Sequence, residues 1–143
     1  LKTADQCCGD LEESLTNFVT QFQNLSGITI ELAISPAVHE FSLAEEAEVQ
    51  LLRIIQEALT NIRKHAATDQ ARVTLTVQNG ALELTVSDNG RGFDPAHTQT
   101  GSRPHFGLGI MRERAKAVGA EFTLTSEPGA GTRVAVRLPL EEN

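Results

Sequence analysis

Apolar and polar positions change period along this chain, and each change marks an element. From Asp10 the residues Leu11, Leu15, Phe18, Val19 and Phe22 recur at helical spacing. Asp10 is placed to cap that helix, with Glu13 three residues on, and Gly27 follows its end. Ile28, Ile30, Leu32 and Ile34 then alternate strictly, the mark of a half-buried strand, which Pro36 ends. Ser42 with Glu45 makes a capping-box pattern ahead of a long helix predicted over about residues 43–66. Val73, Leu75 and Val77 alternate before Asn79-Gly80, and Leu82, Leu84 and Val86 alternate after it, so a tight hairpin is predicted. Residues 88–106 form a polar, Gly-bearing loop, long enough to be functional or mobile. A helix over about 107–118 carries Leu108, Met111, Ala115 and Val118 on one side, with Gly119 at its C′ position. Phe122 and Leu124 open another strand, Pro128-Gly129-Ala130-Gly131 turns, and Val134, Val136 and Leu138 run back. Three helices and five strands, with hairpins and segregated helices, argue an α/β (α+β) two-layer sandwich. Its sheet is mixed, mostly antiparallel and five-stranded, with the three helices on one face.

Composition narrows the class without changing that picture. With 143 residues, 40% hydrophobic and 22% charged, the chain reads as one globular domain. No apolar run is long enough for a membrane span, and the acidic N-terminus is no signal peptide. Trp and Tyr are absent and the net charge is −7, which argues against nucleic acid as a partner. The adjacent pair Cys7 and Cys8 supports neither a disulfide framework nor a metal site, and a cytoplasmic setting without membrane contact is expected. Charge is uneven: residues 1–50 hold nine acids and one base, whereas residues 51–143 hold ten acids and eleven bases. Eight of the eleven glycines fall within residues 90–131. The half able to host an anion is therefore also the half whose backbone can turn sharply or approach a ligand.

Four groups of residues there could carry chemistry. On the long helix, setting Glu57 at 0° places Asn61 at about 40°, Lys64 at about −20° and His65 at about 80°, opposite Leu51, Ile55, Leu59 and Ile62. That face fits a solvated surface with Glu57, Asn61 and Lys64 as pairs, or a polar site. Asp88-Asn89-Gly90-Arg91-Gly92 follows an apolar strand; it is ordinary turn chemistry, or a carboxylate delivered at the sheet end beside backbone that can fold against a flat ligand. Gly107-Leu108-Gly109-Ile110 opens a helix with two poor helix formers, which suits N–H groups meeting a phosphate closely. Gly129-Ala130-Gly131-Thr132 by itself is a hairpin turn.

Taken together and in this order, the four groups resemble the N, G1, G2 and G3 boxes of the GHKL ATPase superfamily, which includes gyrase, the Hsp90 chaperones, MutL and the histidine kinases. Within it, Gln56-Glu57-Ala58-Leu59-Thr60-Asn61 with Lys64-His65-Ala66, and Phe106 through Ala115, are similar to the sensor histidine kinases of two-component systems, in the branch containing the nitrate/nitrite sensors. The resemblance covers about residues 10–140. It implies the Bergerat ATP-binding fold, ATP and Mg²⁺ as cofactors, and a role for each matching residue. Asp88 would accept from the adenine amine, with Gly90 and Gly92 shaping that pocket and Thr132 joining the hydrogen bonds around it. Asn61 would ligate Mg²⁺. Lys64 and His65 would face the phosphates, which Gly107, Leu108 and Gly109 would approach by backbone. Glu57 would assist positioning, so Glu57, Asn61 and Lys64 form the catalytic group. Residues about 93–106, with His97 and His105, would be the ATP lid, His105 among the nucleotide-binding residues.

The same resemblance implies a γ-phosphoryl transfer to a histidine on an adjoining dimerisation domain, and onward to a response regulator. Residues 1–9 are expected to be the tail of that preceding helical domain, and residues 10–143 the ATP-binding domain. The only histidine among the first 45 residues, His39, follows a strand and reads as a surface loop residue, so the chain is expected to bind ATP without phosphorylating itself. Two other readings are compatible with the boxes: a stand-alone anti-sigma-factor serine kinase of the same superfamily, and a non-catalytic nucleotide-binding module.

Overall fold

A computed structural model of the protein describes residues 4–41, 43–92 and 108–140, with side chains from residue 11 onward. Helix α1 spans Ala4–Ser26, β1 Thr29–Ile34, a 3-10 turn Pro36–Glu40, α2 Glu45–His65, β2 Gln70–Gln78 and β3 Ala81–Asp88. After the loop come α3, Leu108–Ala117, then β4, Glu121–Glu127, and β5, Gly131–Pro139. The sheet order is β1-β2-β3-β5-β4. Only β1 and β2 run parallel, joined by α2 as the crossover; the other three pairs are antiparallel. This is the mixed, mostly antiparallel two-layer arrangement that alternation in the sequence implied.

Two expected helix starts need correction. Helix α1 begins by Ala4, so Asp10 lies inside it and is not its N-cap. A glycine inside a helix costs only about 1 kcal/mol, so Gly9 does not stop it. Helix α2 begins at Glu45, with the extended Ala44 as a cap that makes no side-chain bond. Ser42 lies outside the described residues. Glu45, Glu46 and Glu48 in the first turn complement the positive end of the helix dipole. As expected, β1 ends ahead of Pro36; there Ser35 accepts the Ala37 N–H at 3.2 Å and starts the 3-10 turn. That turn buries Val38 and sets His39 Nε2 2.8 Å from Glu12 on the surface. The hairpin is as its sequence demands, with φ of 52° at Asn79 and 74° at Gly80, the left-handed pair of a primed turn.

Alternation on the strands produces ordered rows on the sheet face under the helices. Leu75, Leu84, Val136 and Phe122 are register neighbours across β2, β3, β5 and β4, and so are Val73, Val86, Val134 and Leu124. Helix α2 lays Leu51, Ile54, Ile55, Leu59 and Ile62 on these rows, each at most 5% exposed. Helix α1 adds Leu11, Leu15 and Val19 to the same core. Helix α3 is pinned by the buried Met111 and Ala115, and its Arg112 guanidinium lies 5.1 Å from the centre of the Phe122 ring on β4.

Candidate functional site

One further row closes the inward face at its end, and it is polar. Asp88 continues the series Leu82, Leu84, Val86, and Thr132 continues Leu138, Val136, Val134. Ser126 continues Phe122, Leu124 on β4. The register joins Asp88 to Thr132 and Thr132 to Ser126, so a carboxylate and two hydroxyls stand where the alternation places apolar side chains elsewhere. Asp88 and Ser126 are each only 7% exposed. The Ser126 hydroxyl lies 2.9 Å from that of Thr132 and donates to the Gly131 carbonyl at 3.1 Å. Ser126 was not singled out from sequence, although its polar character at an inward strand position was the available signal.

The Asp88 carboxyl is held in place by the backbone that follows it. Its Oδ1 accepts the Gly90 N–H at 2.7 Å. Burial raises its pKa above the usual carboxylate value, against the opposing pull of the Gly90 and Thr132 backbone groups.

In front of this row lies a cavity of about 220 Å³ between the sheet and helices α2 and α3. Its walls are aliphatic: Ala58 and Ile62 from α2, Val86, Leu124 and Val134 from the sheet, and Leu108 and Met111 from α3. Asp88 and Thr132 supply the polar end, and Asn61, His65 and Arg91 the polar side. The helical wheel explains this division. Asn61 at about 40°, His65 at about 80° and Ala58 at about 100° grade into the core stripe and face the cavity. Glu57 and Lys64, at about 0° and −20°, lie past its rim. Glu57 instead borders a shallower depression between α2 and α3 with Arg53, Gln56, Thr60, Ile110 and Arg114, and Lys64 is exposed. Of the expected site residues, Asn61, His65, Asp88, Gly92, Leu108 and Thr132 are thus brought together, while Glu57, Lys64, Gly90 and Gly109 do not line the cavity. His97, His105, Gly107 and the expected lid lie outside the described residues.

The glycines after β3 serve the packing of the chain on itself. A Cβ on Gly90 would drive into the Ala66 carbonyl at the end of α2, and one on Gly92 into the Glu127 carbonyl of β4. One on Gly131 would meet the Asp88 carbonyl. The loop is threaded between two elements: Arg91 N–H donates to the Ala66 carbonyl at 2.7 Å, and Gly129 N–H donates to the Arg91 carbonyl at 2.6 Å. Gly109 differs, since a Cβ there would meet nothing within 4 Å.

A two-layer sandwich with a buried aspartate and an amide-bearing helix around one aliphatic cavity places the chain in a defined class. It belongs to the histidine kinase-, DNA gyrase B- and HSP90-like ATPases, whose family profile matches residues 46–142. Among its curated relatives, the sensor histidine kinase YhcY of Bacillus subtilis (strain 168) is 38% identical over 134 residues, covering 93% of this chain and 34% of that protein. The sensor histidine kinase LiaS of the same organism is 34% identical over 130 residues, covering 91% of this chain and 34% of LiaS. The chain therefore spans about a third of the length of these relatives. In structure it is similar to the histidine kinase domain of a blue-light activated histidine kinase from Erythrobacter litoralis EL346. That match has a TM-score of 0.74 at 25% identity, over 91% of this chain and 65% of the other.

Proposed function

We propose that this chain is the ATP-binding catalytic domain of a two-component sensor histidine kinase. The observation that carries the reading is Asp88, a buried carboxylate at the end of an otherwise aliphatic cavity. A flat, weakly polar ring fits between Met111, Leu124, Val134 and Ile62, and an exocyclic amine on its edge would satisfy the acceptor that the cavity offers. Adenine has that shape and that donor. Asn61, four residues before His65 on the same wall, lines the cavity together with Leu108, the first residue of α3, where the positive end of the helix dipole favours phosphate.

The donor set also suits Mg²⁺ held mainly by its ligand. Among the described residues no three His, Cys, Asp or Glu side chains gather to hold a metal. The ion would take one position from the Asn61 side-chain oxygen and the others from phosphate oxygens and water, as small hard cations at phosphate sites do. When bound it supplies charge neutralisation. The protein's own part is positioning: Asp88 fixes the base, the aliphatic walls exclude water, and the amides at Leu108 and Gly109 orient the phosphate chain. Lys64, past the rim, is available to the outer phosphates, and Glu57 to the approaching acceptor. The acceptor would be a histidine on a dimerisation domain of the same protein, and the next acceptor an aspartate on a response regulator.

Calorimetric titration with ATP, with and without Mg²⁺, tests this. The chain is expected to bind ATP more tightly with Mg²⁺, and Asp88→Asn to weaken binding at least tenfold. Unchanged affinity in Asp88→Asn would remove the adenine from Asp88.

A further inference from the structure

Arg91 lines the cavity, yet neither sequence pattern nor box assignment gave it a role. Three bonds fix its place. Its N–H and carbonyl are tied to Ala66 and Gly129, and its Nε–H donates to the His65 carbonyl at 2.7 Å. The flanking Gly90 and Gly92 cannot take a side chain, and Asn89 lines a depression away from the cavity, beside Thr29, Gln70 and Ser87. Between Asp88 and Gly92 the loop therefore sends a single side chain to the cavity mouth.

The guanidinium carries five N–H donors on a rigid plane, and Nε uses only one of them. Among the described residues no carboxylate lies within ion-pair distance of it. The carbonyl that anchors it belongs to the last residue of α2, where the helix dipole favours a cation. That end of α2 is four residues, about 6 Å along the axis, past Asn61. Arg91 is thus held on the polar side of the cavity where α2 ends, one turn past Asn61. The aliphatic walls cover the inner side of a flat ring seated there; at the mouth stand the His65 imidazole and the Arg91 plane.

Building on the placement of adenine against Asp88, we propose that Arg91 is a specificity-determining residue whose guanidinium plane covers the outer face of the base. A weakly hydrated, planar cation is suited to an aromatic face, and the Nε bond holds the plane in place beforehand. Pyrimidine nucleotides, with a smaller ring, would gain less from it.

Proton–nitrogen NMR titration of the 143-residue chain tests this directly, using adenosine, ADP and ATP as probes. Adenosine is expected to move the Arg91 Nε–H resonance upfield, the ring-current mark of a base lying on the guanidinium. Arg91→Ala is expected to weaken all three ligands by one common factor of about 3–10. Arg91→Lys, which keeps the charge, is expected to recover less than half of that loss while its spectrum stays dispersed. An Nε–H that does not shift with adenosine overturns the proposal. So does a loss that grows with the number of phosphates and shrinks in salt, because the contact is then to phosphate. Full recovery in Arg91→Lys overturns it too, since a point charge would then suffice. Asp88→Asn separates the two readings: if it leaves adenosine affinity unchanged, the adenine placement fails, whatever Arg91 shows.

Discussion

Asp88 is a single residue whose burial makes the stability of the molecule depend on pH. Its pKa is raised above 3.8 in the fold, so the folded state holds the proton more tightly than the unfolded chain does. Stability is then expected to fall as pH rises from about 3.8 through the raised folded value, and to level off above it. Thermal melts of the wild type and Asp88→Asn across that range check this. The difference between the two curves should carry the slope, and a flat difference would sink the idea. ATP affinity is expected to rise over the same span, because the base needs the ionised acceptor. The glycines separate just as clearly. Gly92→Ala meets the Glu127 carbonyl at a φ of 62° and is expected to destabilise by more than the ~1–3 kcal/mol of backbone strain alone. Gly109→Ala meets nothing and should leave the melting temperature equal or higher, since Ala favours a helix by about 0.5–1 kcal/mol. A loss of ATP affinity in that variant would then report close approach of phosphate. Alternation and helical spacing placed Asp88 on a strand end and Asn61 and His65 on one helix face, because those are local rules; that the three meet was legible only through the family resemblance of the four boxes. It could not show that Gly90 and Gly92 accommodate Ala66 and Glu127, because those carbonyls come from elements remote in the chain. Arg91 and Ser126 were missed for the same reason: one is placed by a carbonyl on α2, the other by register across β5.

Among the elements, α1 lies outside the family profile and yet inside the core. The family match begins at residue 46, after both α1 and β1. Yet Leu11, Leu15, Val19 and Phe22 of α1 are at most 9% exposed, within the same core that α2 and the sheet form. Burying four such side chains contributes roughly 6–12 kcal/mol, as much as a typical domain's whole stability. A chain that starts at Gly27 is therefore expected to lack a cooperative melt and to bind the apolar dye ANS. A sharp transition near the wild-type temperature would show that α1 is dispensable. Helical spacing made the stripe on α1 legible from Leu11 onward. The helix before Asp10 and the uncapped Ala44 start of α2 were not legible; α2 begins on the charge of its first-turn glutamates rather than on a capping side chain.

At the scale of the whole molecule, the polar row with Asn61 beside it exists only when three strands and α2 are assembled, since Asp88, Ser126, Thr132 and Asn61 come from four elements. The parallel contact of β1 with β2 then has a consequence for how the chain assembles. The β2–β3 hairpin closes over two residues and can form within microseconds. The first β1–β2 bond must wait until the 3-10 turn and all of α2 have been spanned, a closure with a larger entropic cost. Pulse-labelled hydrogen exchange during refolding should find amides of β2 and β3 protected before those of β1. Simultaneous protection would contradict that order. A chain emerging from the ribosome thus presents β1 long before its partner exists. For that interval its alternating Ile28, Ile30, Leu32 and Ile34 depend on α1, already synthesised, for shelter from other nascent chains.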